Sequence, residues 1–241
     1  MGGAAYQASD WAWAGPTGHN DPVTIAKKAA DRPAPALASA RRADLVRLAG
    51  ELFAEKGFRA TTVREIADAA GILSGSLYHH FDSKESIGDE ILSGFLNDVL
   101  GGYREAVAAG ADPRATIERI VHSSAVALTE HRAALTMLQN DWNHFSAQPR
   151  FAYLRDAMRE IEQIWVGQLE AGKTAGVFRA DLDARLTYRL LRDMLWIPIH
   201  HRQGGDRGWS PEVVVEAFLR LLFDGITAGS PKPRNARRRT A

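Results

Sequence analysis

Residues 61–81, TTVREIADAAGILSGSLYHHF, constrain the fold of this chain more than any other segment. Thr62 and Glu65 stand at the spacing of a capping box, in which the hydroxyl and the carboxylate satisfy each other's backbone amides. Apolar residues then recur at helical spacing, and Gly71 is placed to end the helix in a left-handed conformation. Ser74 is expected to be the N-cap of a second short helix. The segment therefore predicts two helices joined by a tight turn.

The second of these helices divides into an apolar side and a polar side. Leu77 and Phe81 are four residues apart and face one way, which leaves small and polar side chains exposed. Such a helix fits the major groove of DNA, because one side packs on its own domain and the other meets bases and phosphates. The N-terminus of a helix also attracts phosphate, because its first backbone amides are unpaired and the helix dipole favours negative charge there. The candidate DNA-binding residues are Thr61, Thr62, Ser74, Gly75, Ser76, Tyr78, His79 and Lys84.

The rest of the chain predicts helices and no strands, so the expected fold class is all-α. Apolar residues recur at three- and four-residue spacing, and Asp112 followed by Pro113 is typical of a helix start. Gly101 and Gly102 are expected to end or bend the helix that begins near Lys84. Four of the predicted helices have both ends defined, at about 41–56, 149–174, 183–201 and 211–226. Two others are predicted to begin near residues 84 and 113.

Composition divides the chain into four segments. Residues 1–38 are rich in Ala, Gly and Pro and are expected to be a disordered tail. Residues 39–87 are expected to form a helix-turn-helix domain, and residues 88–228 a larger helical domain. Residues 229–241 are a basic tail, which suits either solubility or attraction to phosphate.

Charge and composition exclude several function classes. Residues 41–87 contain seven Lys/Arg and seven Asp/Glu, so DNA affinity has to come from the placement of cations and from helix dipoles. The chain has no cysteine, which excludes disulfides and zinc–thiolate sites and indicates the cytoplasm. No apolar run is long enough to span a membrane. No motif of an enzyme, metal site or cofactor is present, and adjacent histidines such as His79 and His80 point about 100° apart on a helix.

Residues 41–87 resemble the N-terminal domain of the TetR family of bacterial transcriptional repressors. The runs GFRATTVREIADAAGI and SLYHHFDSKE carry the resemblance. It implies an all-α protein with an N-terminal three-helix helix-turn-helix DNA-binding domain and a larger C-terminal helical domain for ligand binding and dimerisation. The implied partners are a double-stranded DNA operator with an inverted repeat, a second copy of the chain, and a small-molecule effector that releases the repressor.

A cation beside flat aromatic side chains predicts the ligand site. Arg192 and Trp196 are four residues apart on one predicted helix, and Tyr188 and His200 continue that face. Arginine binds carboxylate or phosphate in a fork, so this face suits a bulky anion. The alternative is an arginine that covers a core tryptophan and pairs with Asp193. The candidate ligand-binding residues are Arg192, Trp196, Tyr188, His200, Trp142, Trp165 and Phe95, with Met137 and Phe145 as further apolar lining.

The last helix carries an apolar stripe, which is usually plain core. In the resembling family the two C-terminal helices pair with their mates in a four-helix bundle. The candidate dimer contacts are Val214, Phe218, Leu221 and Leu222.

A narrower resemblance concerns the effector. The words ILSGSLYHHFDSKE and YRLLRDMLW resemble actinobacterial repressors of cholesterol ring degradation, which sense a CoA thioester. That resemblance implies a steroid-derived CoA thioester as the effector. A regulator of another acyl-CoA, aromatic-acid or drug-efflux pathway is the alternative, and an architectural DNA-binding protein is a rival that would need no ligand-binding domain.

Overall fold

The computed structural model describes residues 34–196 and 210–227, apart from the side chains of residues 34–37 and Trp196. The chain divides into two compact units, residues 1–43 and 44–241, and the contacts below lie within the second. The helices are α1 (Ala34–Lys56), α2 (Val63–Ala69), α3 (Ser74–Leu77), α4 (Lys84–Ala108), α5 (Pro113–Glu130), α6 (Arg132–Ser146), α7 (Tyr153–Thr174), α8 (Ala184–Trp196) and α9 (Pro211–Ile226), with a 3₁₀ turn at Pro149–Phe151.

The all-α prediction is confirmed for the described residues, which contain no β-strand. The first helix already begins at Ala34, inside the segment expected to be a tail. Residues 1–33 and the basic tail 229–241 lie outside the described residues.

Local capping explains the helix-turn-helix segment. Thr62 and Glu65 form the predicted capping box at the start of α2. Gly71 has a φ of 65°, so the chain turns there in the left-handed region that glycine favours. Ile66 and Leu77 are buried and hold α2 and α3 on the core.

The long helix α4 does not end at the glycine pair, which was one of the two outcomes expected there. It begins with a capping box formed by Ser83 and Ser86 and continues through Gly101 and Gly102 to Ala108. A Cβ at Gly102 would overlap Ser123 Oγ of α5, so this glycine permits two helices to approach closely.

The C-terminal domain is built around α5, which packs against α4, α7 and α9. Helix α8 packs on α7. The segment after α7 returns to α9, where the Arg179 amide donates to the Ile226 carbonyl at 2.8 Å. The rings of Phe178 and Phe223 stack at the same place with centroids 6.4 Å apart. These contacts enclose an apolar interior between α4, α5, α7 and α8.

Candidate DNA interface and ligand site

The short helix α3 is buried on one side and exposed on the other. Leu77 is 2% exposed, whereas Tyr78, directly after it, is 55% exposed. Gly75 and His79 are also exposed, and Ser76 is half-buried. With Ser74, which is also half-buried, five of the predicted DNA-binding residues therefore lie at an accessible surface on and just after α3.

The start of α3 differs from the prediction by one residue. Leu73 is the N-cap, and Ser74 is the first helical residue and makes no capping hydrogen bond through its side chain. Leu73 is 81% exposed, and the sequence analysis missed it. The available signal was that Leu73 has no place on the apolar side formed by Leu77 and Phe81. An exposed apolar side chain beside α3 suits contact with a thymine methyl group.

The two threonines before α2 are less available than expected. Thr61 is 1% exposed, and its hydroxyl donates to the Gly57 carbonyl at 2.9 Å. The expectation that this side chain contacts DNA is therefore wrong. Thr62 is exposed, but its hydroxyl and its amide both donate to the Glu65 carboxylate, at 2.9 and 2.8 Å. A carboxylate thus already occupies the start of α2.

Lys84 is the first residue of α4, as predicted, and its ammonium group is directed to the loop before α2. Nζ donates to the carbonyl oxygens of Phe58 at 2.8 Å, Arg59 at 3.4 Å and Thr61 at 2.8 Å. Partial burial lowers the pKa of Lys84. Since the three ammonium hydrogens have three acceptors, Lys84 holds this loop in place.

A small apolar cavity of about 40 Å³ lies between α4, α5, α7 and α8. Predicted ligand residues Phe95, Trp165 and Tyr188 line it, and Arg192 lies at its edge. The other seven lining residues were not predicted, because only long-range packing brings them here. These are Val99, Tyr103, Ser124, Leu128, Met158, Ile161 and Leu195.

An open groove of about 770 Å³ adjoins the cavity. Met158, Tyr188 and Arg192 line both, so the groove and the cavity meet at these residues. Trp142, another of the predicted ligand residues, lines the groove. The groove also carries two further arginines that the sequence analysis missed, Arg155 and Arg159, whose four-residue spacing on α7 was the available signal.

Arg192 pairs with Asp193, which is part of the alternative interpretation considered from the sequence. Its guanidinium donates to Asp193 at 2.9 Å and lies 6.0 Å from the centroid of the Tyr188 ring. The side chain is 44% exposed, so it is still accessible from the groove. The Trp196 side chain and all of His200 lie outside the described residues.

Met137 and Phe145 do not line the cavity or the groove, contrary to the expectation. Phe145 is fully buried with its ring 4.8 Å from that of Phe58. Met137 is 1% exposed and lies at the same junction, near Gly88. Both side chains are therefore core residues beneath the helix-turn-helix domain.

The cavity contains one buried polar pair. The hydroxyls of Tyr103 and Ser124 are 2.7 Å apart, and Ser124 donates to the Ile120 carbonyl at 2.7 Å. Burial raises the pKa of Tyr103, and it raises the pKa of Tyr188 to about 12. Both phenols are therefore neutral at physiological pH, and Arg192 at the edge is the one charged residue among those that line the cavity.

The predicted dimer contacts divide into buried and exposed residues. Phe218 and Leu222 are 6% and 4% exposed within the protomer, so most of each side chain packs in the protomer's own core. Val214 is half-buried. Leu221 is 66% exposed. The exposed apolar residues of the last two helices recur every four residues, at Leu186, Leu190 and Met194 on α8 and at Val213, Ala217 and Leu221 on α9.

Two kinds of site are absent from the described part of the chain. Residues 34–196 and 210–227 hold no group of three or more His, Asp or Glu side chains arranged to bind a metal. Within the same ranges, every helix is too short or too polar to cross a membrane.

Both domains match known families. Residues 45–91 match the family of bacterial regulatory proteins called the tetR family. Residues 110–226 match the tetracyclin repressor-like C-terminal domain.

Individual relatives agree with these matches. The HTH-type transcriptional repressor KstR2 of Rhodococcus jostii (strain RHA1) is 49% identical over 191 residues, which cover 79% of this chain and 93% of that protein. The solved structure of the ketosteroid transcriptional regulator KstR2 of Mycobacterium tuberculosis is 42% identical, with a TM-score of 0.73, and covers 78% of this chain and 95% of its own. The structure of AibR in complex with isovaleryl coenzyme A and operator DNA has a TM-score of 0.66 at 16% identity, over 76% of this chain and 98% of its own, and shares the fold alone.

Proposed function

Because this chain belongs to the tetR family of bacterial regulatory proteins, we propose that a small molecule releases it from an inverted-repeat operator, and that this molecule is a CoA thioester from steroid catabolism. The chain is a TetR-type transcriptional repressor and not an enzyme. In this proposal it acts in the cytoplasm, where bacterial operators are. The observation that carries the proposal is the exposed polar surface of α3 next to a domain with an apolar cavity and a groove that holds three arginines.

The DNA-reading part of the proposal uses the exposed residues on and around α3. Ser76, Tyr78 and His79 offer hydroxyl, phenol and imidazole groups to bases and phosphates, and Gly75 lets backbone approach closely. Leu73 adds an apolar contact. Three further residues have weaker roles in the proposal: Ser74, Thr62 and Lys84. The side chains of Thr62 and Lys84 already make hydrogen bonds within the protein, in the capping box and to the loop before α2.

Regulators of this family act as dimers, and the exposed stripes on α8 and α9 suit that role. Three apolar residues on each helix lie four apart, so each helix presents one apolar face that a second copy would cover. Two copies would place two α3 helices on half-sites that are separated by a turn of DNA or a multiple of it. Leu221 is the predicted contact that fits this stripe.

The ligand part of the proposal uses the cavity and the groove together. Phe95, Trp165 and Tyr188 would contact the bulky apolar acyl group, and Trp142 would contact the part of the ligand in the groove. Arg192, with Arg155 and Arg159, would bind the phosphates of the CoA nucleotide. Trp196 and His200 are predicted to continue this face. The ligand changes DNA affinity only by binding the two conformations of the dimer unequally, typically by about 1–3 kcal/mol.

The test begins with the DNA. Purified protein selects an operator from a random double-stranded library, and the selected sequence is then titrated by fluorescence anisotropy at two salt concentrations. We expect an inverted repeat. Tyr78→Ala should weaken binding, whereas Tyr78→Phe, which keeps the ring, should weaken it less. A library that yields no enriched sequence would reject the DNA-binding proposal.

The effector is tested on the same complex with cholyl-CoA, octanoyl-CoA and isovaleryl-CoA as probes. Release by cholyl-CoA and not by the other two supports a steroid thioester, while release by a straight or short chain supports another acyl-CoA pathway. Arg192→Ala should blunt release and leave DNA binding unchanged. Arg189→Ala is the matched control, since Arg189 is an exposed arginine of the same helix that does not line the groove. Normal release by Arg192→Ala would reject the proposed phosphate contact.

The dimer surface has its own test. Leu221→Glu places a charge in the α9 stripe and should shift the protein toward monomer in sedimentation experiments. Val126→Glu is the control, because Val126 is 58% exposed on α5 and lies outside the stripes. A dimer that tolerates Leu221→Glu as well as Val126→Glu would reject this surface.

A further inference from the structure

Helix α6 is interrupted at the place where it meets the groove. Asp141 has φ −122° and ψ 20°, which lie outside the helical range, so the helix is kinked there. Leu138, Gln139 and Trp142, on both sides of the kink, line the groove. The turn that faces the groove therefore departs from regular helical geometry.

The residue at the kink contacts the helix-turn-helix domain. Asp141 Oδ2 accepts a hydrogen bond from the Phe58 amide at 3.2 Å, across 83 residues of sequence. Phe58 belongs to the loop between α1 and α2, which leads directly into the helix-turn-helix. One turn of α6 thus has side chains in the ligand groove and a side chain on the DNA-binding domain.

The loop that contains Phe58 is held firmly, so a displacement there is transmitted. The Phe58 ring is fully buried and packs with its centroid 4.8 Å from those of Phe53 and Phe145. Its carbonyl accepts from Lys84 Nζ at 2.8 Å. The peptide groups on the two sides of Phe58 are therefore bound by α6 through Asp141 and by the start of α4 through Lys84. Close-packed interiors transmit strain because they have little room to absorb it.

We propose that Asp141 is the positioning residue that couples the ligand groove to the DNA-binding domain. A ligand bound against Trp142 changes the kinked turn, this weakens the bond from the Phe58 amide to Asp141, and the loop before α2 and α3 is no longer held in its DNA-binding position. The inference rests on the proposed function and adds the route by which the groove reaches the recognition surface.

Coupling between two sites is reciprocal, so the proposal can be tested without the effector. If the groove controls the loop through Asp141, bound operator must in turn stabilise the kinked turn. Hydrogen–deuterium exchange of a peptide spanning residues 138–148 measures this. We expect exchange to slow by about fivefold or more when the wild-type dimer binds its selected operator, which is the lower end of typical coupling.

Variants at Asp141 and at its neighbour test whether Asp141 is the residue that carries the coupling. Asp141→Ala removes the acceptor and should abolish the DNA-dependent slowing, whereas Asp141→Asn keeps an amide oxygen and should retain most of it. Asn140→Ala is the matched control, because Asn140 is the exposed neighbour on the same turn. If Asp141→Ala does not fold, Asp141→Ser replaces it. The serine side chain is shorter than that of aspartate, so its hydroxyl does not reach the Phe58 amide.

The outcomes separate the inference from the proposed function. A wild-type protein that selects no operator rejects the proposed function. Operator binding without slowed exchange at residues 138–148 rejects the inference alone. Slowed exchange that persists in Asp141→Ala or Asp141→Ser also rejects it, because the coupling then takes another route.

Discussion

Two aromatic clusters of the protomer differ in how closely their rings are packed. Around Phe58, the rings of Phe53, Phe145 and His144 lie with centroids 4.8 to 5.6 Å from it. Around Trp165, the rings of Tyr103 and Tyr188 lie 6.4 Å away, and a cavity of about 40 Å³ is left. The first cluster lies beneath the helix-turn-helix domain, and the second lies in the C-terminal domain.

The difference indicates a division of roles within one protomer. A filled cluster has no space for a ligand and moves as a unit, because small gaps cost dispersion contacts. A cluster with a cavity and a buried polar pair can accept a ligand after modest side-chain movement. The predictions below test this comparison, beginning with the closely packed cluster.

Phe58→Ala should cause the largest loss. Removing a fully buried phenylalanine from a cluster of rings costs about 3–5 kcal/mol in the free energy of unfolding. Urea unfolding monitored by circular dichroism measures it. A loss below about 1 kcal/mol would mean that the cluster relaxes freely, and the contrast with the cavity would fail.

Gly88→Ala should test the lack of space directly. A Cβ at Gly88 would lie 2.8 Å from Phe58 Cε2, so overpacking should cost about 1–3 kcal/mol. Gly94→Ala, on the same helix with nothing within 4 Å of the added carbon, should instead stabilise the protein by up to about 1 kcal/mol. Thermal unfolding of the two variants gives the comparison, and equal melting temperatures would contradict it.

Tyr103→Phe should test the polar pair of the cavity. Loss of one buried hydrogen bond to Ser124 should cost about 1 kcal/mol, and Ser124 keeps its bond to the Ile120 carbonyl. Tyr153→Phe is the comparison, because its hydroxyl is only partly buried and lies farther, 3.4 Å, from its backbone acceptor, the Asp89 carbonyl. Urea unfolding that shows no larger loss for Tyr103→Phe would mean that the pair adds nothing to stability.

Glu65→Gln should have the smallest effect, and one that depends on pH. The hydrogen bond from Lys56, followed by those from Thr62, lowers the pKa of Glu65 to about 2 from its usual 4.5. When the pKa of a carboxyl is lower in the folded state than in the unfolded state, its ionised form stabilises the fold. That stabilisation is complete above the unfolded-state pKa and is lost as the pH falls through the folded-state pKa. The difference in stability between wild type and Glu65→Gln should therefore shrink from about pH 4.5 to about pH 2. A constant difference across that range would contradict this assignment.

Local sequence was sufficient where the contacts are between near neighbours. The capping box at Thr62 and Glu65, the left-handed Gly71, and helix α9 from Pro211 to Ile226 were predicted and are present. The exposed side of α3 was predictable because the helix has only four residues. Once Leu77 is assigned to the core, the other residues of the helix face away from it. At Thr61 the same reasoning was wrong, because the side chain is buried and its hydroxyl donates to the Gly57 carbonyl.

The lining of the cavity and the groove was only partly predictable. Arg192 and Tyr188 share one helix, so their spacing placed them together, and Trp142, Trp165 and Phe95 were chosen by residue type. Tyr103 and Ser124 lie on α4 and α5, and no local pattern marks them as neighbours. Phe145 has the residue type of a ligand contact, yet it packs on Phe58.

The sequence by itself determined the helical fold class, the capping box of α2, the helix-turn-helix and the family, because these depend on residues within a few turns of each other. Only the tertiary structure decided which aromatic residues surround a cavity, which apolar residues of α8 and α9 stay exposed, and that Asp141 meets the Phe58 amide. The physical reason is that packing joins residues tens of positions apart, and helical periodicity gives the direction of a side chain without the identity of its neighbour.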